Sequence, residues 1–141
     1  MPRRRVACRL AALFASVPFA SVLFVSVLPA LAGEEFPFGS ALMLDTPPIR
    51  GSKRVPVLQI EEDGTASIDL WCARLRGQAT VGDGSIAIVP ALTPQARCDP
   101  ESEARDVALL GTLSQVTGWK RRGEVLELSG PTVLRFHLMT N

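Results

Sequence analysis

From Val55 onward the chain alternates apolar and polar residues with a period of two, in runs of strand length broken by glycine-bearing turns. Val55 to Ile60 is apolar and β-branched and ends at Glu61-Glu62-Asp63-Gly64, an acidic turn closing in Asp-Gly. Thr65 to Cys72 then sets Ala66, Ile68, Leu70 and Cys72 on one face and Ser67, Asp69 and Trp71 on the other, which turns Cys72 inward. Leu75, Gly77, Ala79 and Val81 continue one face, while Arg74, Arg76, Gln78 and Thr80 occupy the other. Asp83-Gly84 turns the chain into Ser85 to Val89, and Pro90 ends that run. Strands this short and this close together predict antiparallel pairing with one wet face, not βαβ units.

One segment changes period. Asp99 can cap a helix through its side-chain oxygen, Pro100 suits the first helical position, and Glu101 and Glu103 complement the helix dipole. Ala104, Val107, Ala108, Leu110 and Leu113 form an apolar stripe near the helical period, so a helix is predicted over residues 100–115 with that stripe inward. Val116 to Lys120 and Glu124 to Leu128 return to strand pattern around Arg121-Arg122-Gly123. Ser129-Gly130-Pro131 leads into Thr132 to Met139, where Val133, Arg135, His137 and Met139 oppose Leu134, Phe136 and Leu138. Residues 33–54 read as an extended lead-in holding one short strand, Ala41 to Leu44, and residues 55–141 as the main domain. The fold class expected is α+β, mostly antiparallel β, with one helix.

The first 32 residues follow a different logic. Arg3, Arg4, Arg5 and Arg9 precede an uncharged apolar run from Leu10 to Leu28, and Pro29-Ala30-Leu31-Ala32 supplies the small residues of a cleavage site before Gly33. A cleaved secretory signal is therefore expected over residues 1–32, with a periplasmic or secreted product; a retained anchor is the competing reading. Without that segment the chain keeps 109 of its 141 residues, 11 of its 15 Lys+Arg and all 14 Asp+Glu, a formal net charge of −3. The basic excess thus belongs to the leader, which argues against nucleic acid as a partner and against a membrane contact beyond the leader itself. A monomer with one modest core is expected.

Cys72 and Cys98 are the two cysteines left after the leader, and in an exported chain they are expected to pair, with two buried free thiols as the alternative. Two cysteines and one histidine, His137, do not complete a zinc site, and the acidic runs at Glu61 to Asp63 and Asp99 to Asp106 lack the spacing of a calcium loop. The second run is assigned to helix capping and dipole. No metal or cofactor is expected. His137 faces solvent by parity, and no nucleophile or orienting carboxylate is marked beside it, so no catalytic residue is proposed. Trp71 and Trp119 are the candidate ligand contacts, because indoles combine a large apolar area with a polar edge.

Asp69-Leu-Trp-Cys72, Pro94-Gln-Ala-Arg-Cys-Asp-Pro100, Leu109-Leu-Gly-Thr-Leu113, Gly123-Glu-Val-Leu-Glu-Leu-Ser-Gly130 and Leu134-Arg-Phe136 together resemble the META domain, or HslJ-like, family over roughly residues 65–138. The chain departs from the family pattern at Trp71-Cys72-Ala73, where Gly-Cys-Asn is usual, and at Thr93, which stands one position further from Cys98 than the family threonine. It also has Gly33 where lipoprotein members carry the lipid-accepting cysteine. The resemblance implies a half-open β-barrel or strongly curled sheet carrying one helix. It also implies a small exported or envelope-associated domain linked to stress tolerance and to no established reaction. The function expected is a non-enzymatic binding module for a peptide, lipid or envelope protein, with a secreted inhibitor of an envelope hydrolase as the alternative.

Overall fold

A computed structural model describes residues 34–49, 52–91 and 98–140. The leader, its cleavage site before Gly33, and Pro94 to Arg97 of the family-like motif lie outside the described residues. Eight strands and one helix follow in chain order: β1 (Leu42–Leu44), β2 (Val57–Ile60), β3 (Thr65–Asp69), β4 (Arg74–Val81), β5 (Ile86–Pro90), α1 (Pro100–Leu113), β6 (Gly118–Arg122), β7 (Val125–Ser129) and β8 (Leu134–Leu138). All pair antiparallel in one sheet of order β5-β4-β3-β2-β1-β8-β7-β6. No helix among the described residues is long and apolar enough to cross a membrane.

The sheet curls until its two edges touch. Ser85 bridges Gly118, Ile86 N–H donates to the Thr117 carbonyl at 3.1 Å and Trp119 N–H to the Gly84 carbonyl at 3.0 Å. β5 and β6 run in opposite directions from that bridge, so the barrel is pinched shut at one point and otherwise open along the seam. Alternation does what the sequence predicts. Leu58, Ile60, Ala66, Ile68, Leu75, Ile86, Ile88, Leu126, Leu128 and Phe136 face inward and are buried, while Arg74, Arg76, Gln78, Thr80, Val133, Arg135, His137 and Met139 are exposed. An eight-stranded barrel is just wide enough for side chains to fill. Here Leu42, Leu58, Ile60, Ile68, Leu126, Leu128 and Phe136, each at 0–1% exposure, belong to one packed cluster.

The short strand of the lead-in holds a central place. β1 lies between β2 and β8, with Leu42 opposite both Leu58 and Leu138, so it joins the two halves of the sheet. Gly77 lets β4 and β5 approach, because a Cβ there would sit 2.6 Å from the Val89 carbonyl oxygen.

Strand limits shift by one or two residues in several places, Pro90 being the last residue of β5, and two strands and the helix face differ more. The run predicted from Thr65 to Cys72 stops at Asp69, and Leu70 to Ala73 turn the chain straight back into β4. The strand predicted from Val116 starts at Gly118, and Arg121 and Arg122 are strand residues, the turn being Gly123-Glu124 with Gly123 at φ +60°. That is the positive φ a two-residue hairpin needs at its first turn position. The helix begins where predicted, with Asp99 accepting from Ser102 N–H at 2.9 Å, but it is rotated. Its buried residues are Asp106, Leu109 and Leu113, whereas Ala104 and Ala108 are exposed and Val107 is 64% exposed. Of the predicted stripe Leu113 is buried and Leu110 packs against the core, but a carboxylate occupies the centre of the inward face, so a count of apolar positions misplaces the N-terminal part of the stripe.

Candidate functional site

Asp106 is 4% exposed, and its carboxylate accepts from three successive backbone amides: Trp71 at 3.0 Å, Cys72 at 3.2 Å and Ala73 at 2.8 Å. Successive amides of this kind form a concave nest for an anion, and the helix supplies that anion internally. The expectation that Asp106 belongs to a cap or dipole is thereby corrected, since it lies two turns into the helix and binds another element. The same turn is covalently held, because Cys72 and Cys98 form a disulfide with Cα atoms 6.0 Å apart. Cys98 immediately precedes the cap residue Asp99, so carboxylate and disulfide tie one turn to the N-terminal half of α1.

Trp71 sits in that turn, not on a strand, and is half-buried against the core. It lines an open pocket of about 280 Å³ with Ser52, Lys53, Arg54, the two cysteines, Asp99 and Ser102. Arg54 donates from Nη1 to the Cys72 carbonyl at 3.1 Å.

Trp119 lies elsewhere. Its partner across the β6–β7 ladder is the buried Leu128, so it shares the inward parity and sits at the seam of the barrel. The Phe36 ring meets it edge-on at a centroid distance of 5.2 Å, Phe38 follows at 4.9 Å from Phe36, and the indole Nε1–H donates to the Gly82 carbonyl at 2.9 Å. With Val81, Gly82, Glu34, Glu35 and Asp83 these rings line a pocket of about 340 Å³. The two tryptophans therefore belong to separate pockets that share no lining residue, one with Lys53 and Arg54 beside it and the other with three carboxylates.

His137 is exposed on β8, with Nε2 3.5 Å from Asp45 Oδ2. Its pocket of about 290 Å³ also holds Arg122, Val125, Glu127 and Arg135, the last donating from Nε to Glu127 Oε1 at 3.0 Å. These lining residues offer no hydroxyl or thiol as nucleophile. Among the described residues no group of three or more His, Cys, Asp or Glu is placed to hold a metal ion.

The sequence of residues 37–140, which covers every strand and the helix just described, matches the family model of the META domain. The chain belongs to the META domain family. The match takes in β1, β2 and most of the lead-in, beyond the stretch that carries the resemblance in the sequence. A comparison with curated protein sequences finds no match. Two solved structures share the fold of this META domain. One, from Burkholderia xenovorans and determined by NMR, is 18% identical with a TM-score of 0.59 and covers 74% of this chain and 84% of its own. The other, also an NMR structure, is 18% identical with a TM-score of 0.56 and covers 70% and 88% respectively.

Two exposed carboxylates stabilise this META domain in a pH-dependent way. The Asp99 carboxyl is held below its ordinary value of 3.8 chiefly by the Ser102 backbone N–H, and Asp63 likewise by the Thr65 backbone N–H. A carboxyl with a lowered folded pKa binds its proton less tightly in the folded state than in the unfolded one. Its contribution is full above the ordinary value and disappears as pH falls through the lower folded value. Asp99→Ala is therefore expected to melt below the parent at neutral pH and to converge on it as pH falls below the ordinary carboxyl value of 3.8. Thermal melts from pH 7 to pH 2 check this, and a gap that does not narrow over that range contradicts the capping assignment.

Proposed function

We propose that this protein is a non-enzymatic binding module of the cell envelope that takes an extended peptide segment of an envelope protein on its surface, with the Trp119 pocket as the contact. The observation that carries the reading is the aromatic pocket at the barrel seam, where Trp119, Phe36 and Phe38 line an open concavity beside an incompletely paired sheet edge. Large rigid aromatic side chains in such a pocket are the usual anchors of recognition. The filled barrel interior favours a peptide over an acyl chain, because the inward residues of the central strands already occupy the space a lipid tail requires. The leader in the sequence and the Cys72–Cys98 disulfide support an exported, oxidising location.

Recovery of the oxidised protein from the periplasm of an expressing bacterium, followed by mass spectrometry of what travels with it, tests this reading. A bound peptide is expected, reduced about tenfold or more in Trp119→Ala and largely kept in Trp119→Phe, which preserves an aromatic packing partner for Phe36. Recovery of lipid selects the lipid-carrier reading in its place, and a bound hydrolase selects the inhibitor. A protein that emerges without any associated peptide removes the proposal.

A further inference from the structure

We infer that the Trp119 pocket receives the cationic side chain of a lysine or arginine in a peptide strand laid along the edge of β6. The inference rests on the binding-module reading and adds the chemistry of the ligand. Glu34, Glu35 and Asp83 stand around the Trp119, Phe36 and Phe38 rings, and no cation lines the pocket. Among the described residues none of the three carboxylates forms an ion pair. Glu34 is fixed by a neutral donor, the Gly123 backbone N–H, at 2.9 and 3.0 Å from its two oxygens. Lys120 has the opposite parity to Trp119 on β6, and Arg121, the next residue of the same parity, spends its guanidinium on the Gly123 carbonyl at 2.9 Å and the Glu35 carbonyl at 3.2 Å. Aromatic faces and unneutralised carboxylates both attract an ammonium or guanidinium, and the pocket's low polarity on one side strengthens the effect.

The backbone beside the pocket selects a peptide over a free amine. The tight turn at Gly123-Glu124 makes Arg122 and Val125 a hydrogen-bonded pair, so the peptide groups of Trp119 and Arg121 face away from β7. The Trp119 N–H confirms that direction by donating to the Gly84 carbonyl, and beyond it the edge carries the outward groups of Arg121. An added strand completes such an edge with main-chain hydrogen bonds while alternate side chains enter adjoining pockets.

The test follows the Trp119 indole N–H resonance of the isotope-labelled, disulfide-bonded protein, assigned by its loss in Trp119→Phe. The probes are a capped pentapeptide Ala-Val-Lys-Val-Ala, its norleucine counterpart and n-butylammonium. The lysine peptide is expected to bind about tenfold more tightly than the norleucine peptide, with an affinity that falls as salt rises, and n-butylammonium more weakly still. Glu35→Gln combined with Asp83→Asn is expected to bring the two peptides within about twofold of each other without lowering the melting temperature. Equal binding of the two peptides overturns the cationic ligand and leaves the peptide-binding reading standing. Binding of n-butylammonium as tight as the lysine peptide overturns the role of the β6 edge. If no probe binds, the inference falls, whatever the periplasmic recovery shows for the module.

Discussion

Asp106→Ala is expected to destabilise the domain by about 3–5 kcal/mol and to lower its melting temperature by roughly 15–30 °C. The carboxylate is the shared acceptor for the amides of Trp71, Cys72 and Ala73, and it lies 4% exposed between α1 and the β3–β4 turn. Hydrogen bonds to a charged group each contribute about 1.5–3 kcal/mol, and deleting the acceptor leaves three donors to find water in a half-buried turn. Asp106→Asn keeps one carbonyl oxygen but points an N–H₂ group at amide donors, so it is expected to cost an intermediate 1.5–3 kcal/mol, roughly. Glu103→Gln, on the exposed side of the same helix, is expected to change stability by less than about 1 kcal/mol. Urea and thermal unfolding of the three variants decide the matter. Should Asp106→Ala unfold within about 0.5 kcal/mol of the parent, the nest is not a structural element.

That turn also marks the limit of what can be read from the sequence. Asp63-Gly64, Asp83-Gly84 and Gly123 announce their reversals because the positive φ each turn needs is supplied by a glycine within it, at +85°, +68° and +60°. Trp71-Cys72 carries no such residue, and no non-glycine residue among those described adopts a positive φ. The reversal is instead imposed by a carboxylate more than thirty positions away and a disulfide of separation 26, so the pattern reads on as one strand. The helix face is misread for the same reason, since Asp106 stands where an apolar residue is expected and only its three distant donors explain it. β1 is legible as a strand but not as a central one, because its place depends on Leu42 meeting Leu138 across nearly the whole domain.

The candidate site divides along the same line between local and distant signals. The cysteine pair is suggested by the number of cysteines that remain after the leader-like segment, and each tryptophan stands out by residue type. What surrounds each indole is set by remote segments. The acidic rim of Trp119 comes from residues 34–35 and 83, and the basic flank of Trp71 from residues 53–54. Charge that decides the ligand is thus assembled by the fold and is invisible in the run around either tryptophan.

Replacing both Cys72 and Cys98 by alanine is expected to cost about 3.5 kcal/mol, the loop-closure entropy for a separation of 26, and to lower the melting temperature by roughly 15–25 °C. In a domain this small that is a large fraction of total stability. The disulfide and Asp106 hold one turn against one helix by different means, the first mainly by restricting the unfolded chain and the second by satisfying amides in the folded one. Their effects are therefore not expected to add. With the disulfide intact, Asp106→Ala leaves three amides pinned near the helix without an acceptor. With the disulfide gone as well, the turn can swing outward and hydrate them. The triple variant Cys72→Ala, Cys98→Ala, Asp106→Ala is expected to be about 1 kcal/mol less destabilised than the sum of the separate losses. A double-mutant cycle from urea unfolding, treating the cysteine pair as one site, measures this directly. Strict additivity means that the turn keeps its place without either restraint, and two alkylatable thiols in the oxidised parent would falsify the disulfide itself.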